Sequence, residues 1–153
     1  MFGLLALLLV VSPPHFRPAP RWHVGSARAH ACAGLSRSRC VQAEGWASTV
    51  RYRDCPDCVP PHRTLAHLPP SGIVIQLTNG RERPVRMPLG SWPVRIRRRD
   101  VVRGFEGEPR RYGVFQRSAR TGTLERSLFV WFGRVQPTRH QLARANAELR
   151  TVR

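Results

Sequence analysis

The chain has 153 residues, with 26 Lys or Arg against nine Asp or Glu and a formal net charge of +17 at pH 7. That length is one domain's worth, long enough for a core of its own. The charge excludes a surface suited to cationic partners and favours anionic ones: nucleic acid, acidic lipid headgroups or phosphate-bearing envelope polymers. Every basic residue is Arg, and Asn occurs only at 79 and 146. GC-rich codons explain part of the Arg count, but not the scarcity of acids beside it. Residues 1–16 carry no charged side chain, so the whole excess sits on residues 17–153.

Phe2–Val11 is an unbroken apolar run, stopped by Ser12-Pro13-Pro14. It falls short of the roughly 20 residues that span a bilayer, and has the length of a signal-peptide apolar core. No basic residue precedes it. The first A-x-A triplet, Ala27-Arg28-Ala29, lies farther downstream than cleavage sites usually do. A buried strand or helix is the competing reading. The expectation is an exported protein, secreted or envelope-associated, with no transmembrane span. Residues 1–21 then form a leader and Pro-rich linker. Residues 22–153 form one domain: a cysteine-bearing segment over 22–62, a sheet over 63–135 and a C-terminal helix over 137–152.

All four cysteines, Cys32, Cys40, Cys55 and Cys58, fall in that first segment. In an oxidising compartment they read as two disulfides, with three possible connectivities. A zinc site is the second reading, with Cys55-x-x-Cys58 as one knuckle and Cys32, Cys40, His30 or His62 completing it. The spacing of Cys32 and Cys40 matches no familiar knuckle. A redox dithiol at Cys55-Pro-Asp-Cys58 is the third. Such dithiols sit at a helix N-terminus, and Pro60-Pro61 prevents a helix from running on directly from Cys58. Between the cysteine pairs, Trp46–Arg53 alternates as a strand, with Trp46, Ser48, Val50 and Tyr52 on one face.

His62–Leu68 predicts a short helix with Leu65 and Leu68 on one side, ended by Pro69-Pro70-Ser71-Gly72. Ile73–Thr78 is the clearest β-run, and Asn79-Gly80 reads as a hairpin turn into Arg81–Met87. Pro84 makes that return arm an edge strand or a loop. Over Val94–Val102 an extended chain would line Arg95, Arg97 and Arg99 along one face and Val94, Ile96 and Arg98 along the other. The Arg triplet is a candidate anion-binding stripe, joined by Arg110 and Arg111. No aromatic residues interleave with it as base-stacking surfaces require, so a solvated sheet face competes with this reading and nucleic acid ranks below envelope polymers and lipid headgroups as partner.

Tyr112–Ala119 and Leu124–Phe132 predict a second hairpin. In Ser127-Leu-Phe-Val-Trp-Phe132, Leu128, Val130 and Phe132 share one face and Phe129 and Trp131 the other. Apolar residues on both faces mark a central, doubly covered strand. Thr138 and Gln141 form a T-x-x-Q capping box. Leu142, Ala145, Leu149 and Val152 then make the core stripe of the last helix.

The chain lacks a phosphate-cradling glycine loop, a G-x-S-x-G elbow and an H-E-x-x-H motif, so nothing in it specifies an enzyme or a cofactor. Several phrases are familiar: Trp22-His-Val-Gly25, Leu68-Pro-Pro-Ser-Gly-Ile73, Ser91-Trp-Pro-Val94, and Phe132-Gly-Arg134 followed by Pro137-Thr138 and Ala143–Leu149. Together they resemble uncharacterised exported proteins of high-GC, actinobacterial-type bacteria. The element order is similar to α+β domains of the photosystem PsbP and Mog1 type. The expected fold is α+β, a mostly antiparallel sheet of five to six strands with the C-terminal helix on one face and a short helix before the Ile73 strand. The expected role is a non-enzymatic, basic envelope domain. A cytosolic zinc-stabilised nucleic-acid binder and a thiol oxidoreductase at Cys55 and Cys58 are its alternatives.

Overall fold

A computed structural model describes residues 13–28, 43–55, 58–80, 90–104, 111–121 and 124–153. The elements are β1 (His23–Arg28), β2 (Ala43–Ser48), α1 (His62–Ala66), β3 (Ile73–Gly80), β4 (Gly90–Ser91), β5 (Val102–Arg103), β6 (Gly113–Thr121), β7 (Leu124–Phe132) and α2 (Arg139–Leu149). A single 3-10 turn, Arg98–Asp100, precedes β5. The strands form one seven-stranded sheet in the order β1-β2-β3-β7-β6-β4, with β5 also on β6. The fold is α+β. The sheet is mixed rather than mostly antiparallel as expected, because β4 runs parallel to β6 through Gly90–Ala119 and Ser91–Arg120. It also has more strands than expected.

β7 lies between β3 and β6, at the centre. Its alternation puts Leu128, Val130 and Phe132 into one core with Ile73, Ile75 and Leu77 of β3 and Phe115 of β6. Ala145 and Leu149 of α2, with Val94, Ile96 and Phe16, close that face. On the opposite face Trp131 is buried with Val74, Val114, Tyr112, Leu65 and Leu68, and Phe129 is half-buried against them. Each large apolar side chain buried here is worth roughly 1.5–3 kcal/mol, so double coverage makes β7 the energetic centre.

Three local expectations change. Asn79 and Gly80 are not a turn: they continue β3, opposite Arg126 and Glu125 of β7. The tertiary ladder overrides their turn preference; the arm expected to follow, Arg81–Met87, lies outside the described residues. The Trp46–Arg53 strand instead begins at Ala43 and ends at Ser48, where the Ser48 hydroxyl accepts the Val50 N–H and bends the chain away. β1 was not foreseen. Its His-Val-Gly-Ser-Ala-Arg run has low β propensity, and pairing with β2 alone recruits it.

The folded unit also reaches upstream of Trp22, into the segment read as leader and linker. Phe16 is 5% exposed, in the core. His15 and Arg153 exchange backbone hydrogen bonds of 3.4 and 3.0 Å, tying this segment to the chain end. Gly45 makes room for it, since a Cβ there would fall 2.2 Å from the Pro14 carbonyl oxygen.

Candidate anion-binding face

The 94–101 segment lies on the same sheet face as α2, and one side chain holds the two together. Asn146 accepts the Ile96 N–H at 2.8 Å and donates to the Ile96 carbonyl at 2.9 Å, as a strand neighbour would. Val94 and Ile96 are thereby pinned in the core, while Arg95 and Arg97 stay exposed. Asp100 accepts the Arg97 N–H and turns the chain, ending the extended run. The predicted stripe therefore stops at Arg97. Arg98 and Arg99 are also exposed but belong to the turn, and Arg98 does not join Val94 and Ile96 inside. The result is a knuckle of four arginines on a rigid loop beside α2, whose own Arg139 and Arg150 are exposed.

Four acids among the described residues are engaged in the fold. Glu44 and Glu148 are buried, the Asp54 carboxylate accepts the N–H groups that open α1, and Asp100 accepts the Arg97 N–H in its turn. On α2, burial pushes the Glu148 carboxyl above its ordinary range, outweighing the Thr151 hydroxyl and Arg144 charge that pull it down. The folded pKa then exceeds the unfolded one, so the stability this group contributes is complete below about pH 4 and is lost as pH rises through the folded value. Glu148→Gln keeps the shape without ionising. It is expected to be more stable than the parent at pH 7 and equal to it below about pH 4, measured by urea unfolding at both pH values.

The other predicted basic residues are not brought here. Arg111 donates to the Leu65 and Ala66 carbonyls at the end of α1 and lies 4.8 Å from the Tyr112 ring centroid, a packing role. Arg110 lies outside the described residues. Cys55 and Cys58 are joined as a disulfide with a Cα separation of 5.2 Å. In that form their sulfurs are not thiolate ligands, and no metal-binding group occurs among the described residues. Cys32, Cys40 and His30 lie outside the described residues. The amides opening α1 are occupied by the Asp54 carboxylate, at 3.0 Å from Arg63 N and 2.7 Å from Thr64 N.

Behind the disulfide lies a buried polar cluster. Glu44 accepts from Tyr52 Oη at 3.0 Å and from Gln76 Nε2 at 2.8 Å, and Gln76 Nε2 also reaches the Cys58 carbonyl at 3.2 Å. Burial first, and then the Glu44 charge and hydrogen bond, hold the Tyr52 phenol well above its ordinary range. Its ring stacks on Trp46 at 4.8 Å between centroids. This arrangement fastens the cysteine loop to β2 and β3.

Two basic residues take aromatic partners that the sequence reading did not give them. Arg144 lies 5.2 Å from the Trp22 centroid and Arg126 lies 5.1 Å from the Trp92 centroid. Arg126 carried a readable signal: it has the same alternation parity as Leu128, Val130 and Phe132, so a charge was directed toward the core face. No protein-family model, curated protein or solved structure matches the chain.

Proposed function

We propose that this protein is a non-catalytic, disulfide-bonded domain that holds an anionic polymer or lipid surface of the cell envelope through the arginine knuckle at Arg95, Arg97, Arg98 and Arg99. The observation that carries this reading is the clamp of Asn146 on Ile96, which presents exposed arginines from a held backbone. Arginines carried on a held backbone lose less freedom on gripping phosphate than those of a loose tail. The Cys55–Cys58 disulfide is consistent with an oxidising compartment. Among the described residues no helix is long and apolar enough to cross a membrane.

The test is binding of the full chain to polyphosphate and to anionic vesicles across a salt titration. The R95Q/R97Q/R98Q/R99Q variant is expected to bind at least about tenfold more weakly, with a log–log salt slope shallower by roughly three charges. Unchanged affinity and slope would remove the proposal, and tighter binding to duplex DNA than to either probe would move it to nucleic acid. Thiol–disulfide exchange is a second reading, favoured by the exposure of Cys55. A Cys55→Ser protein with undiminished exchange activity would eliminate it.

A further inference from the structure

The geometry points to a second, discrete site, for a phosphate-class oxyanion, where the Arg126 guanidinium of β7 lies against the Trp92 ring beside Arg117 of β6. Arg126 is only 8% exposed, although it projects from a strand face otherwise given to Leu128, Val130 and Phe132. Among the described residues its buried Nε has no hydrogen-bond partner. Burial lowers its pKa. The Trp92 ring, 5.1 Å away, is the partner the fold supplies. A cation–π contact offsets only part of what it costs to take a guanidinium out of water.

Arg117 supplies the second positive group. Arg126 pairs across the ladder with Ala119, and Arg117 precedes Ala119 by two residues on the same face. Such diagonal neighbours stand about 7–8 Å apart at the backbone, within reach of long side chains. Arg117 is exposed with its guanidinium over the Phe115 ring, 5.7 Å from the centroid, and would swing from there to meet an oxyanion at Arg126. Gly90 of β4 lies beside Arg117, with an ordinary 3.7 Å between a Cβ built there and Arg117 Cδ. The parallel pairing of β4 with β6 then delivers Trp92 onto Arg126. An oxyanion between the two guanidinium groups would accept charge-assisted bonds from both, and the indole would shield it from water. None of these residues belongs to the knuckle at 95–99, so the inference stands or falls apart from the proposal above.

The test is the melting temperature of the full chain in inorganic phosphate against chloride at matched ionic strength. Saturating phosphate is expected to raise it by about 3 °C or more. Arg126→Met keeps the apolar stem, and is expected to abolish that increment while melting no lower than the parent in chloride. Arg117→Gln, at an exposed position that tolerates substitution, is expected to weaken the half-saturating phosphate concentration about tenfold. The R95Q/R97Q/R98Q/R99Q variant is expected to keep the full increment. A glycerol phosphate arm separates sources: a larger increment than with phosphate assigns a polymer or lipid headgroup, an equal one the free ion. No increment in the parent, or the same increment in Arg126→Met or Arg117→Gln, overturns the site and leaves Arg126 as packing.

Discussion

Gly133→Ala is expected to destabilise the protein by about 3 kcal/mol and lower its melting temperature by roughly 10 °C. A Cβ at this position would fall 1.8 Å from the Pro69 carbonyl oxygen and 2.7 Å from its carbon. Those atoms are backbone, and they cannot swing aside as the end of a side chain would. The turn is held on every side. Gly133 N–H donates to the Gly72 carbonyl at 3.0 Å, and Gly72 N–H donates to Pro69 at 2.8 Å. Gln141 Nε2 reaches the Pro70 carbonyl at 3.0 Å and the Gly72 carbonyl at 3.2 Å. Its Oε1 meanwhile accepts the Thr138 N–H, so the capping box and the turn share one amide. Displacing Pro69 therefore disturbs the start of α2 and the end of β7 together. Gly90→Ala is the control, because its nearest neighbours stand at 3.7 and 3.9 Å. It is expected to change stability by less than about 1 kcal/mol, measured by the same thermal and urea unfolding. A Gly133→Ala protein as stable as Gly90→Ala would show that the corner yields more easily than its hydrogen bonds imply.

The second large effect concerns the upstream segment. Phe16→Ala is expected to cost about 3–4 kcal/mol, the usual penalty for emptying a buried aromatic site. Removing residues 1–29 is expected to abolish cooperative unfolding altogether. That cut takes Phe16 from the core and the β1 strand from the sheet, and it severs the His15–Arg153 backbone pair. A consequence for maturation follows. Ala27 and Arg28 sit inside β1, paired with Glu44 and Ala43. If the apolar run Phe2–Val11 is removed on export, the cut falls upstream of Pro13 and not at the Ala27-Arg28-Ala29 triplet. Intact mass of the protein from its native host reads this directly, and a mature chain beginning at residue 30 would refute it.

Much of the architecture was present in local patterns. The doubly apolar β7, the Ile73 run, the capping box at Thr138 and the α2 stripe all depend on residues near one another in the chain. In each of them period and capping chemistry agree with the final packing. The familiar phrases Leu68–Ile73, Phe132–Arg134 and Pro137–Thr138 are, in the fold, one corner where the turn before β3, the end of β7 and the start of α2 meet. Their chemistry is hydrogen bonding between turns, which is why they imply no reaction.

The amino-acid sequence alone determined the α+β class, the central strand, both helices and the excess of arginine. Which arginines matter was decided only by tertiary contact. Arg95 and Arg97 owe their presentation to an Asn146 side chain fifty residues away, and Arg111 is withdrawn to the end of α1. Arg126 meets Trp92 only because β4 lies parallel on β6, a pairing of two residues that no periodicity announces. Strand order and long-range pairing are set by how apolar faces are shared among distant segments. A charged side chain's role follows from what those segments place beside it.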